Sequence, residues 1–377
     1  MKRGTFQLMK SVNKSIILNK IRTGEPISRA QIAKETKLTP PTVSSIVKEL
    51  IDEGIVMESE LGESKGGRKP TMLLLNHNGF YVIGVDAGPS SVVCILADLS
   101  GKIYERVSSP LQEITRNEEF LKVLTMSVRS ILKSVDDKSN VLGIGVAMHG
   151  VVDIETGTSV IAPNLKLQNI PIKETLEKEF QMVVKVENDA RAMALGESWF
   201  GDHGLLESML AINLGSGVGA GVVIEGKLYH GAQDIAGEIG HMTIDMNGEV
   251  CACGNRGCLQ TFATGSAIAK LAKLDSGEEV FQLANEGKEK YAQVLREVGT
   301  VIGIGLTNLI HIINPQIIVL GGGVSKAEKF ILPSIKETIE KRGLTDEAKR
   351  TRIVVTKLSD DATLLGAVAL LLVELFE

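Results

Sequence analysis

Apolar residues recur at helical spacing through FQLMKSVNKSIILNKI, residues 6–21, and Gly24 and Pro26 close the run, which predicts one helix. ISRAQIAKETKLTPPTVSSIVKELIDEGIV then divides into two short helices joined by a turn. Ser28 is placed to cap the first, which carries Ala30, Ile32 and Ala33. Thr39 is placed to cap the second, with Pro40 at the first helical position, where a missing N–H costs nothing. Val43, Ile46, Val47 and Leu50 make the buried stripe of this second helix, Thr42, Ser44, Ser45 and Lys48 fall on other faces, and Gly54 stops it. Two strand-like pieces, IVMESE and PTMLLL, flank the loop LGESKGGRK. Three helices followed by a hairpin is the plan of a winged helix-turn-helix.

Beyond Asn76 the texture changes to βαβ alternation. FYVIGVDAG, SVVCILADLSG and KIYERVSSPL read as successive strands, residues 117–134 as a helix, and VLGIGVAMHGVVD as another buried strand. MLAINLGSGVGAGVVIEGKLYHG repeats the theme of strand, glycine turn, strand, turn, strand. The two units, each with D/N-x-G at the turn, lie 127 residues apart, which predicts an internal duplication with a cleft between its halves. INPQIIVLGGGVS adds a strand ending in glycines between two long helical stretches.

At 377 residues, 44% hydrophobic and 23% charged, the chain is long enough for two or three soluble domains. Its longest apolar run, LGAVALLLVELF, is too short to span a bilayer, and MKRGTFQLMKSVNK has no apolar signal-peptide core, so a cytoplasmic protein with no membrane partner is expected. The net charge of −5 is unevenly spread: residues 1–70 hold 13 Lys/Arg against 8 Asp/Glu, leaving the remainder at −10. A basic head on an acidic body points to a polyanion partner for the head alone. Thr42, Ser44 and Ser45 can reach base edges, Lys48 can meet phosphate, and Arg68 and Lys69 of GGRK can enter a minor groove. The plainer reading is a helical hairpin used for protein contact.

Three of the four cysteines, Cys251, Cys253 and Cys258, fall within eight positions of HMTIDMNGEVCACGNRGC. Tetrahedral metal needs four ligands; three thiolates leave one place, and His241 is the nearest candidate. The turns VDAGPSS and NLGSGVGAG can expose N–H groups that cradle phosphate, although either alone is also an ordinary hairpin. Asn188-Asp189, ahead of an amphipathic helix, reads by itself as an N-cap.

Taken together these motifs resemble the ROK family, which comprises bacterial sugar kinases and the sugar-responsive transcriptional regulators derived from them. The resemblance runs from Gly79 to the C-terminus, and NKSIILNKI, TPPTVSS and GGRKP resemble the head of its regulators. It implies an α/β chain: a winged helix-turn-helix over residues 1–75, then a duplicated actin-like sugar kinase fold over 76–377. The two lobes would span about 76–195 plus the C-terminal helix 360–377, and 196–359, with a central cleft. GEIGHMTIDMNGEVCACGNRGC is similar to the family's sugar-and-zinc signature, implying one structural zinc per chain on His241, Cys251, Cys253 and Cys258. One ring nitrogen of His241 would then face a sugar hydroxyl, with Glu238 accepting from adjacent hydroxyls. VENDARAMALGE is similar to the catalytic stretch, where the residue matching Asp189 is the general base; Asn188 and Asn164 match sugar-contacting asparagines. Asp86, Gly88, Gly215, Ser216, Gly217, Gly321 and Gly322 match the phosphate and nucleotide loops.

The departures from the kinase pattern bear on function. The first phosphate loop has Pro89 where a second glycine is usual, then Ser90 and Ser91 with no lysine, which removes a donor and a cation. Gln260 replaces a sugar-binding glutamate, and MHGVVD places His149 before Gly150 where the family has proline, both beside the sugar. ATP is therefore not expected as a cofactor, and Asp189 is read as vestigial or sugar-binding. The expected function is a sugar-responsive repressor of carbohydrate-utilisation genes. It would bind operator double-stranded DNA as a homodimer or higher homo-oligomer, released by a monosaccharide. GHMTID-x-NG and CGNRGC resemble xylose-responsive members of the family, so xylose is the first sugar to consider, ahead of glucose. The alternative is a working ATP-dependent hexose kinase that carries a DNA-binding head.

Overall fold

The structure, a computed structural model, describes residues 3–61, 70–111, 114–204 and 206–376, without the side chains of residues 3–11, 60 and 61. Arg68 and Lys69 lie outside the described residues. The head runs α1 (Arg3–Gly24), β1 (Ile27–Ser28), α2 (Arg29–Thr36), α3 (Pro40–Asp52), β2 (Val56–Leu61) and β3 (Thr71–Leu75). Both expected caps are present: Ser28 Oγ accepts from Gln31 N–H and Thr39 Oγ1 from Thr42 N–H. Val43, Ile46, Val47 and Leu50 are buried against Ile17, Leu18, Ile21 and Ile32, while Ser44, Ser45 and Lys48 are exposed. The strands form one sheet in the order β1-β3-β2. β1 was not anticipated, because two residues are too few to show a period.

The body begins with β4 (Tyr81–Ala87), β5 (Ser91–Asp98), β6 (Ile103–Pro110), α4 (Asn117–Leu132) and β7 (Val141–Met148). It continues through β8 (Val151–Asp153), β9 (Thr158–Ala162), β10 (Leu167–Ile170), α5 (Ile172–Phe180), β11 (Val184–Asn188) and α6 (Asp189–Phe200). The second half holds β12 (Ser208–Leu214), β13 (Val218–Ile224), β14 (Lys227–Tyr229), α7 (Gln260–Ala263), α8 (Gly265–Ala272), α9 (Gly277–Asn285) and α10 (Glu289–Ile313). It ends with β15 (Ile317–Gly321), α11 (Glu328–Arg342), α12 (Asp346–Lys349), β16 (Arg352–Val355) and α13 (Ala362–Phe376). The two five-stranded sheets, β6-β5-β4-β7-β11 and β14-β13-β12-β15-β16, repeat the same order. In each, three strands form an antiparallel meander and two more add in parallel on the other side. The duplication expected from the turn motifs is thus a duplication of topology, and Asp86 on β4 and Asn213 on β12 hold equivalent places. A small sheet, β10-β9-β8, is added to the first half.

α6 and α13, each following the last strand of its half, cross one another between the sheets. They approach so closely that a Cβ on Gly366 would lie 1.7 Å from the Ala192 carbonyl oxygen, so only glycine fits there. On its other side α13 packs against the head. Leu364, Leu372 and Phe376 share one buried cluster with Ile17, Leu18 and Ile21 of α1 and with Val82 and Ile95 of the first sheet. Asn19 Nδ2 donates to the Phe376 carbonyl at 2.7 Å, and the Arg22 guanidinium lies 4.1 Å from the Trp199 ring centroid. Glu25 accepts from Leu75 N–H and pairs with His77 Nε2, each at 2.7 Å. The hydrophobic core therefore continues across the head–body junction. No described helix is long and apolar enough to cross a membrane.

Candidate ligand cleft and metal centre

The parallel register of β4 and β7 sets Ala87 beside Met148, so the next residue of each strand meets at the cleft. His149, 6% exposed, turns back so that Nδ1 donates to the Ala87 carbonyl at 3.2 Å. A carbonyl only accepts, so Nδ1 carries a hydrogen and Nε2 is the ring nitrogen left over to meet a ligand. That Nε2 is buried and has no partner. A buried polar atom left unpaired is costly, and a ligand hydroxyl would satisfy it.

β11 ends at Asn188, and its side chain caps α6. Oδ1 accepts from Ala190 and Arg191 N–H at 3.0 and 3.1 Å, while Nδ2 donates to the Gly150 carbonyl at 2.9 Å and Asp189 Oδ1 at 3.0 Å. All four hydrogen-bonding places of this amide are used, so the capping reading of Asn188 is realised and Gly150 serves as its acceptor. Asp189, in the first turn of α6, also accepts from Asn213 Nδ2 at 3.2 Å through Oδ2. Burial raises the proton affinity of Asp189, opposed by His149 and the surrounding hydrogen bonds. Burial, with the nearby Asp189 charge second, pushes the Asp86 carboxyl up to about 7. Glu238 is also raised, by desolvation first, with His241 and Arg191 opposing and Asp189 adding to the shift.

The two glycine loops differ in what they offer. In DAGPSS the Gly88 N–H is spent on the Ser91 carbonyl at 3.1 Å, and Pro89 has none. Gly215 and Ser216 of the second loop face a cavity of about 610 Å³, lined also by Asn164, Phe281, Gly323 and Lys326. Gly321 ends β15 opposite Asn213, and Gly322 follows it. Gly217 lies between Ser216 and β13, its carbonyl accepting from Gly215 N–H at 2.9 Å.

The metal-ligating atoms of His241, Cys251, Cys253 and Cys258 all lie within 4.8 Å of one another, so the four residues could hold a metal ion. Cys251 Sγ is 3.7 Å from His241 Nδ1, and Cys253 Sγ is 3.8 Å from Cys258 Sγ. Nδ1 is thus the ring nitrogen turned to the cluster, and Nε2 faces Glu238 Oε2 at 3.9 Å. Gln260 Nε2 donates to Cys251 Sγ at 3.1 Å, so the amide expected beside a sugar is directed at a thiol. Burial opposes ionisation of Cys251, but hydrogen bonds from Cys253, Gln260 and His241 outweigh it and bring the thiol down to about 7.

Four residues of this region escaped the sequence reading. Asn213, in NLGSGVG, was legible as the duplicate of Asp86. Glu187, Arg191 and His230 were not: a buried carboxylate and guanidinium have no local pattern that separates them from surface charge.

A winged helix-turn-helix fused to a duplicated actin-like body defines a DNA-binding protein built on a sugar kinase fold. Residues 82–374 match the model described as the ROK family, and residues 17–57 match one described as winged helix-turn-helix DNA-binding. The chain belongs to the ROK family. It is 34% identical over 388 residues to the xylose repressor of Caldicellulosiruptor bescii, covering 98% of this chain and 97% of that one. Its fold is similar to a ROK family transcriptional regulator, a homologue of the E. coli MLC protein, with TM-score 0.86, 27% identity and coverage of 98% and 97%. The ROK glucokinase of Streptomyces griseus, solved with glucose and AMPPNP, matches with TM-score 0.70 and 27% identity over 77% of this chain and 98% of that one.

Proposed function

We propose that this protein is a repressor of carbohydrate-utilisation genes that is released from operator DNA by a free monosaccharide, with xylose the first candidate. Residues 1–75 are the DNA-binding head and 76–377 the sugar-binding body, in two lobes, and the protein works in the cytoplasm as a homodimer or higher homo-oligomer on a palindromic operator. Thr42, Ser44 and Ser45 read the major groove, Lys48 meets phosphate, and Arg68 and Lys69 enter the flanking minor groove. The sugar lies among Asn164, His149, Asp189, Glu238 and His241, with Asn188, Gly150 and Gln260 supporting them. The observation that carries the reading is the turn Asp86–Ser91, where Gly88 N–H is already bonded and Pro89 offers no donor. Phosphoryl transfer depends on positioned donors and cations around the phosphate, and this loop has one donor already bonded, one removed by proline, and no cation. Asp189 and the similarity to the S. griseus glucokinase support the alternative of a kinase with a DNA-binding head.

His241, Cys251, Cys253 and Cys258 hold one structural zinc per chain in this reading. Tetrahedral zinc sets N and S ligands about 3.5–3.8 Å apart, and the separations of 3.7 and 3.8 Å agree. A closed Cys3His set leaves no place for water, so the ion would orient the His241 ring while Nε2 stays free for a hydroxyl.

The test pairs operator binding with an ADP-release assay across D-xylose, D-glucose and N-acetylglucosamine. One sugar is expected to weaken operator binding about 5- to 150-fold, the span of ordinary allosteric coupling, without turnover. Sugar-dependent turnover of about 1 per second or more would establish the kinase reading instead.

A further inference from the structure

Behind the cleft lies a buried charge cluster with no part in the site as described so far. Glu187, 3% exposed, precedes Asn188 at the end of β11, and Arg191, 2% exposed, follows one turn later on α6. Arg191 Nε donates to Glu187 Oε1 at 2.7 Å, and Glu187 Oε2 meets His230 Nε2 at 2.7 Å. Glu187 Oε1 also accepts from Asn188 N–H at 2.6 Å, and Arg191 Nη1 donates to the Asp234 carbonyl at 2.7 Å. The cluster thus joins two pieces of chain from different halves of the duplication: the β11–α6 corner, which carries Asn188 and Asp189, and the loop after β14.

That loop is short and closed. Ala236 N–H donates to the His230 carbonyl at 3.0 Å, so fixing His230 and Asp234 fixes the whole turn. Gly237 follows with φ +96°, and a Cβ there would lie 1.9 Å from the Ala220 carbonyl oxygen, so the chain is pressed against β13. Its own carbonyl accepts from Ala220 N–H at 2.8 Å. The next residues are Glu238 and, three further on, His241. One side of the loop is therefore held by β13 and the other by Arg191 and Glu187.

The geometry points to Arg191, Glu187 and His230 as positioning residues that hold Glu238 at a fixed distance from Asp189 and so set the affinity of the cleft for its sugar. This rests on the reading of the cleft as a monosaccharide site. A guanidinium suits the task because its fork bonds the carboxylate and the carbonyl at once, which an ammonium cannot do with the same geometry.

Titration calorimetry of D-xylose and D-glucose into the full chain tests the assignment with Arg191→Lys, His230→Gln and Glu238→Gln. Arg191→Lys and His230→Gln are each expected to weaken sugar binding about tenfold, with operator affinity in the absence of sugar unchanged. In a Glu238→Gln background the Arg191→Lys change is expected to cost less than about twofold, because the residue it positions is gone. Wild-type affinity in both single variants overturns the inference, as does an undiminished loss in the Glu238→Gln background, which would mark a purely structural clamp. Should Arg191→Lys fail to fold, His230→Gln, on the half-exposed member, decides alone. A wild-type chain that binds neither sugar fails at the prior step, the reading of the cleft, and takes this inference with it.

Discussion

Asp86 shows how one position can be fixed by the fold and still work against it. Its carboxyl is pushed up to about 7 by burial and then by Asp189, so the folded chain holds a proton that the unfolded chain has released. With the folded value above the unfolded one, stability falls as pH rises from the ordinary carboxylate range, about 4, through about 7. Asp86→Asn removes that penalty. The variant is expected to be more stable than the parent by roughly 1–3 kcal/mol at pH 8 and no more stable at pH 4. Urea unfolding at the two values checks this, and an equal effect at both would show that ionisation is not the cause. The retention of an acid at such a cost is consistent with a group that a ligand engages.

At the scale of an element, the segment from Glu238 to Gln260 has little regular structure: one short 3-10 turn at Ile239–His241 and two isolated bridges, Thr243 with Cys258 and Val250 with Arg256. Turn hydrogen bonds such as Cys251 N–H to the Asn255 carbonyl at 2.7 Å and Leu259 N–H to the Met242 carbonyl at 2.9 Å hold its backbone, and a metal would add the side-chain link that fixes the His241 ring. Freshly purified protein is expected to contain one zinc per chain by elemental analysis. Cys253→Ser, at the exposed ligand, is expected to carry much less and to lose thermal midpoint and sugar affinity together. Metal-free wild-type protein would remove the basis for the zinc reading. α3 is the contrasting element, a regular helix with its own cap and a fully apolar stripe, and it leaves Ser44, Ser45 and Lys48 facing outward.

At the scale of the molecule, the head and body are one packed object. α6 begins in the cleft at Asp189 and ends at Trp199 and Phe200, where the Trp199 ring meets both Arg22 and Phe376. In the proposed reading, a change in lobe angle on sugar binding would reach α1 through these packed side chains. Removing residues 1–75 is expected to abolish operator binding and also to lower the melting point of the body by at least about 5 °C, since Phe376, Leu372, Val82 and Ile95 lose cover. Calorimetry of the truncated chain checks it; an unchanged melting point would mean that the shared cluster adds no stability.

Features that depend on local period and turn chemistry are legible in the sequence: the three head helices with the caps of the second and third, the strands on either side of each glycine turn, the duplication, and the Cys3His set. Those signals survive in one dimension because each is written within a few residues of itself. The sequence also singled out Asp189 and Glu238 as candidates, through motifs that resemble a family. Only the folded molecule settles features that depend on partners far along the chain. It directed Gln260 to a thiol and Asn188 to a cap, left His149 Nε2 without a partner, and set Arg191 and Glu187 against the loop from His230 to Asp234. It joined the last helix of the body to the first helix of the head, because two apolar stripes at opposite ends of the chain can be matched only once both have folded.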